Sequence, residues 1–162
     1  MRLTVRNLLI ALFLFLSGAA GAAASELSQG QNVYVPVYSQ VWHGNLDGSG
    51  KPWMLLLSVM LSIRNTNPEH AITVRSVRYY DTEGKLLREF YTEPKHLGPF
   101  QSTDLFVENK DVTGGTGANF LVVWDAEKPV NPPVVEAVHA YFFGTQSVVF
   151  TSPGRAIETI AK

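Results

Sequence analysis

Cysteine is absent from the 162 residues. That excludes a disulfide framework, a thiolate zinc site and a cysteine nucleophile. It also excludes the modified cysteine on which a bacterial lipoprotein anchor is built. An excess of charge is lacking too: 13 Lys and Arg stand against 14 Asp and Glu, a formal net charge of −1. A chain without a basic surplus has no electrostatic footprint for nucleic acid. There is no G-x-S-x-G elbow, no H-E-x-x-H and no S-x-x-K, so the familiar linear signatures of hydrolases are missing. Heptads, internal repeats and long helical periods are missing as well, which argues against a bundle or solenoid.

What is present begins with an export leader. Arg2 and Arg6 form a positive start, residues 8–16 (LLIALFLFL) are an unbroken apolar run, and small residues follow through Ala24. This is the layout of a signal peptide with an A-x-A cleavage site, cut after Ala24 or after Ala22. A spanning helix needs about 20 apolar residues, and the run here is nine. The expected organisation is a leader over residues 1–24 and one domain over residues 25–162, acting in the periplasm or outside the cell. The length left after cleavage is enough to bury roughly two-thirds of the unfolded surface, so the domain needs no disulfides.

The rest alternates. Val33, Val35, Val37 and Val41 share one face of an extended segment, with Tyr34 and Tyr38 opposite, the period of a strand. Pro36 has no N–H for a ladder, which predicts an edge strand. Residues 53–65 predict a single long strand with Leu55, Leu57, Val59, Leu61 and Ile63 on one face. Burying five such side chains contributes about 7–15 kcal/mol before entropy. Over residues 72–80 the apolar phase switches between Val74 and Val77, which predicts a β-bulge near Arg75 and Ser76. Asp81-Thr82-Glu83-Gly84 predicts a hairpin turn. Residues 102–107 predict a short strand. Residues 120–124, apolar on both faces, predict a central one. Residues 134–143 and 148–152 predict a last hairpin, and residues 155–162 a tail with a helical turn. About eight strands, with a turn every eight to twelve residues, predict an all-β, immunoglobulin-like sandwich. Trp124 is its candidate core tryptophan.

Two loops stand out as candidate sites. Residues 111–119 contain Gly114, Gly115 and Gly117 ahead of Asn119. Clustered glycines can form a backbone nest for an anion, although a strand-like segment follows where a dinucleotide site needs a helix. Residues 42–53 form a polar loop bracketed by Trp42 and Trp53, with His43 and Asp47 inside it. Gly50-Lys51 is followed by Pro52, where a P-loop needs Ser or Thr. Leu56 stands where a calcium loop needs its bidentate Glu. The histidines His43, His70, His96 and His139 have no metal-ligand spacing, and only Met54 and Met60 follow the leader. Arg155 could cap a ligand carboxylate.

Four segments taken together carry a resemblance: Ser62-Ile63-Arg64-Asn65-Thr66, the run from Tyr79 to Leu86, Gly114-Gly115-Thr116-Gly117-Ala118-Asn119-Phe120 with Trp124, and Thr151-Ser152-Pro153-Gly154-Arg155. They resemble an uncharacterised family of small exported bacterial proteins known only as domain of unknown function 3124. The resemblance covers roughly residues 31–156. It implies export and a compact β domain, and it carries no activity, cofactor or catalytic residue.

The expected function is a non-catalytic binding or envelope-interaction module. Its expected contact residues are Trp42, His43, Asp47, Trp53, Gly114, Gly115, Gly117, Asn119 and Arg155. No cofactor, no metal and no nucleic-acid partner are expected; the partner is an envelope protein or a small ligand. The alternatives are a periplasmic small-ligand or copper-type binder and, further off, a hydrolase.

Overall fold

The computed structural model describes residues 26–159; the expected leader lies outside them. Twelve strands follow one another with no helix between them: β1 (Ser28–Pro36), β2 (Gln40–Leu46), β3 (Pro52–Leu56), β4 (Ser58–Arg64), β5 (Ile72–Tyr80), β6 (Leu86–Glu89), β7 (Lys95–Leu97), β8 (Ser102–Val107), β9 (Asn119–Val130), β10 (Val134–Phe143), β11 (Gln146–Pro153) and β12 (Arg155–Thr159). They form one sheet in the order β12-β1-β9-β5-β6 with β7 also on β5, a second in the order β11-β10-β4-β8, and a separate ribbon of β2 with β3.

The alternating apolar positions explain the architecture. Val33, Val35, Val74, Val77, Tyr79, Phe120, Val122 and Trp124 line one sheet's inner face, and Val59, Leu61, Ile63, Val107 and Ala137 line the other's. All belong to one buried cluster, so the two sheets form an all-β sandwich, as the spacing predicts. Trp124 is fully buried. The β5 bulge falls where the phase switches: pairing with β9 shifts register between Val74 and Ser76.

Several expectations need correction. The predicted strand over residues 53–65 is two, because the chain leaves the sandwich at Leu57. That residue is buried and its N–H donates to Ser39 O at 2.9 Å, so only β4 belongs to the core sheet. Pro36 is not on an edge strand. β1 lies between β9 and β12, but β12 reaches only Gln31 to Tyr34, so Pro36 faces no partner on that side and its missing N–H costs no ladder bond. Residues 120–124 are central, but their faces differ: Phe120, Val122 and Trp124 are buried while Leu121 and Val123 are half-buried. The predicted tail is no helical turn. Residues 155–159 pair with β1 as a strand.

That last strand exists because the chain changes sheets at Gly154. Its N–H donates to Val135 O at 2.7 Å. A Cβ there would lie 2.8 Å from both that oxygen and Val33 Cγ1, so the corner closes only around a hydrogen.

Candidate functional site

The two candidate loops meet at one end of the sandwich. The residues between β1 and β2 hold them together. Ser39 N–H and Oγ–H both donate to Gly115 O, at 3.2 and 3.0 Å, and Val37 N–H donates to Ala118 O at 2.9 Å. A shallow cleft of about 160 Å³ lies across the join, lined by Tyr38, Gln40, Val41, Trp42 and Thr116.

Beyond Ser39 the β2–β3 ribbon leaves the body of the protein. Trp42 pairs with Met54 and His43 with Trp53, so alternate faces of the ribbon carry one tryptophan each. Trp42, Leu46, Trp53 and Met54 are 65%, 68%, 61% and 53% exposed, which is high for such large apolar groups. His43 stands edge-on to Trp53, ring centres 5.9 Å apart. Asp47 organises the tip. One of its carboxylate oxygens accepts Ser49 N–H at 2.8 Å, Ser49 Oγ–H at 2.7 Å and Lys51 N–H at 2.9 Å. Those donors, the Lys51 amide first, hold the carboxyl below its ordinary value.

The glycine loop is packed rather than open. Gly114 is buried beneath Tyr79, and a Cβ on it would overlap the phenol oxygen at 1.9 Å and Ala118 Cβ at 2.9 Å. Thr82 N–H and Oγ–H both donate to Gly114 O at 3.0 Å. Gly117 N–H donates to Thr82 Oγ1 at 3.0 Å, and Gly115 N–H to Val112 O at 3.2 Å. Those two amides are therefore engaged by Thr82, in the turn between β5 and β6, and by Val112 instead of facing an anion. Burial first and the Asp111 carboxylate second push the Tyr79 phenol up to about 12, against smaller pulls from Ser39 and Arg88. Asn119 begins β9 between Pro36 and Tyr80, half-buried. Arg155 lies apart, exposed on edge strand β12 opposite Tyr34.

A second arm stands at this end, one that the sequence shows only as a hairpin. β10 and β11 run on past Ser58, where β4 begins, and pair to the tip at Phe143 and Gln146. Phe142 and Phe143 there are 73% and 71% exposed. The available signal was charge: no Asp, Glu, Lys or Arg occurs from residue 137 to residue 154. His139, which the sequence shows only as one of four histidines without metal-ligand spacing, is fully buried at the root of both arms. Its ring stacks on Phe150 with centres 4.4 Å apart, and its Nε2 accepts Tyr38 N–H at 3.1 Å. Accepting there places the ring proton on Nδ1. Burial lowers the His139 pKa, with a weaker opposing effect from the Phe150 backbone.

Elsewhere, a polar recess of about 350 Å³ is lined by His70, Thr73, Arg75, His96 and Asp125 among others. Thr73 Oγ1 and His96 Nδ1 are 2.9 Å apart, and Arg75 Nε donates to Asp125 Oδ2 at 2.9 Å. Met54 is on the ribbon and Met60 on the outer face of β4, so the structure does not bring the methionines together. Among the described residues, no three His, Asp or Glu side chains could hold a metal ion, and no helix is long and apolar enough to cross a membrane.

A family model described as "Protein of unknown function (DUF3124)" matches residues 30–157. No curated protein matches the chain. A solved structure titled "Crystal Structure of Thermotoga maritima 1070" is similar at 14% identity and a TM-score of 0.43, covering 82% of this chain and 97% of its own.

Proposed function

We propose a function for this chain, which belongs to the DUF3124 family by the match over residues 30–157, from its own surface: it is an exported, non-catalytic binding module. The leader read over residues 1–24 supports a site of action outside the cytoplasm, in the periplasm or beyond the cell. The observation that carries the reading is the ribbon. Trp42, Leu46, Trp53 and Met54 are more than half exposed on an element whose root is tied by Ser39 to Gly115 of the glycine loop. Exposed tryptophans are expensive to keep in water, and tryptophan is enriched among residues that dominate binding energy. A rigid body presenting an apolar arm fits an apolar segment of an envelope protein better than it fits a small polar molecule.

The test replaces both tryptophans. Trp42→Ala with Trp53→Ala removes exposed side chains and leaves thermal unfolding within about 1 kcal/mol of wild type. A photo-cross-linker placed at residue 42 in cells traps a discrete envelope protein, and one placed at exposed Lys128 does not. Loss of that adduct in a Trp53→Ala background supports the reading, and an identical adduct from both sites overturns it. A second reading, a small-ligand binder, has the polar recess at Thr73, Arg75, His96 and Asp125 in its favour. Saturable binding of a small polar metabolite that Arg75→Ala abolishes and Trp42→Ala leaves intact would select it.

A further inference from the structure

The free edge of β11 differs from the others. β12 carries Arg155 and Glu158, the latter bonded to Asn32 Nδ2–H at 2.6 Å. β8 carries Asp104, β6 carries Arg88 and Glu89, and β7 carries Lys95. The ribbon has a register shift between His43 and Leu46, with Pro52 at the start of β3. Charges, prolines and irregular register are what keep edge strands from pairing with other chains. β11 has no charged residue, pairs with β10 without a register shift over its full length, and meets proline only at its last residue.

The register tells which groups face outward. Phe143 and Gln146 flank a two-residue turn and exchange backbone hydrogen bonds, after which bonded and non-bonded pairs alternate. Val148, Phe150 and Ser152 therefore direct their amides and carbonyls to β10. Ser147, Val149 and Thr151 direct theirs to solvent. The bond from Gly154 N–H to Val135 O, on the β11 side of β10, fits this phase, as does Ser58 Oγ–H to Ala140 O on the β4 side. Ser147, Val148, Val149 and Thr151 are all exposed, Val149 at 56%.

Read outward from Val149, the strand is self-complementary: Val148 and Phe150 flank it, then Ser147 and Thr151. We propose that β11 docks onto β11 of a second copy of this chain, antiparallel and with Val149 on the two-fold axis, joining two four-stranded sheets into one. In that register Ser147 faces Thr151, Val149 faces Val149, and each of the three bonded pairs supplies two backbone hydrogen bonds, about six in all. Val148 packs against Phe150 and hydroxyl meets hydroxyl, with no charge stranded between them. A different protein would need an equally uncharged edge; a second copy has one by symmetry. The groups that pair are the backbone amides and carbonyls of Ser147, Val149 and Thr151, none of which belongs to the tryptophan ribbon.

The absence of cysteine makes the test specific to register. Residues bonded directly across antiparallel strands have Cα atoms about 5.5 Å apart, inside the roughly 4.4–6.8 Å that a disulfide spans. The chain is purified from cells expressing the whole sequence and oxidised with oxidised glutathione. Val149→Cys gives a covalent dimer. Ser147→Cys and Thr151→Cys do not cross-link alone, since each is about 14 Å from its own copy, but a mixture of the two does. Sedimentation equilibrium gives the wild type twice the mass of one chain, and Val149→Lys raises the dimer Kd at least tenfold while leaving the β-sheet circular dichroism unchanged. Trp42→Ala leaves the Val149→Cys cross-link intact, which separates this inference from the binding role of the ribbon. A wild-type chain of single mass at every concentration overturns the proposal, as does no cross-link at residue 149 or an equal one at residue 147.

Discussion

Gly114 tests whether the glycine loop is a wedge. A methyl at this position would meet the Tyr79 phenol oxygen at 1.9 Å, the ring carbon bearing it at 2.8 Å and Ala118 Cβ at 2.9 Å. Tyr79 is 1% exposed and its ring sits 4.9 Å from that of Phe120, so it cannot swing aside. Overpacking a filled site costs about 1–3 kcal/mol; with three atoms inside 3 Å, Gly114→Ala belongs at the upper end. Tyr79→Phe isolates the cause. It deletes a buried hydroxyl that makes no well-formed hydrogen bond, a group that is costly to leave unpaired, so alone it is neutral or stabilising by about 1 kcal/mol. It also removes the nearest clashing atom, and the double variant should recover about 1 kcal/mol or more of the Gly114→Ala loss as coupling. Urea unfolding followed by circular dichroism measures all four corners. Additive losses would mean that the loop backbone moves away from Tyr79, and a wild-type midpoint for Gly114→Ala alone would refute the wedge outright.

Other predictions concern the sheet corner and the buried histidine. Gly154→Ala drives a methyl into Val135 O and Val33 Cγ1, both at 2.8 Å, and should lower Tm by roughly 6–10 °C, from about 2 kcal/mol at this domain size; calorimetry showing an unchanged Tm would mean that the corner has slack. His139 has a folded pKa below its ordinary 6.5 because burial disfavours the charged ring. The unfolded chain then binds the extra proton, so the stability held above pH 6.5 is lost as pH falls from there through the folded value. Urea midpoints at a series of pH values check this, and His139→Asn should flatten that part of the profile; a slope surviving in the variant would assign it to another group.

The inward-facing residues were legible because a strand's period is local: Val33 to Val37 or Val59 to Ile63 announces its buried face without reference to any partner. The bulge at Arg75 was legible for the same reason, since one inserted residue inverts the phase of all that follow. What could not be read was which sheet a strand joins. Residues 53–65 keep an apolar residue at every odd position from Trp53 to Ile63, straight across Leu57, yet Leu55 belongs to a ribbon and Val59 to the core. The break is made by Ser39 O, eighteen positions upstream, accepting the Leu57 amide. The site was half legible on the same terms. Both loops were visible in composition, but their adjacency rests on Ser39 reaching Gly115 and Val37 reaching Ala118, contacts between distant positions that no periodicity encodes. The β10–β11 arm reads as an ordinary hairpin because its apolar residues run on from the buried Ala137 to the exposed Phe142 and Phe143 with no charge to mark where the core ends.

That division separates fold from function. Gly114 and Gly154 sit where the chain comes closest to its neighbours, so a methyl on either takes space the packing needs and weakens the seat. The aromatics of the two arms make few contacts with the body and stand in water, so changing them should leave the seat untouched. A surface built this way can vary its tip residues without a stability cost, provided that the strip tying the arms down, Val37 to Ser39 against Gly115 and Ala118 with His139 Nε2 beneath the Tyr38 amide, stays intact. A change in that strip, far less exposed than either tryptophan, would loosen both arms at once.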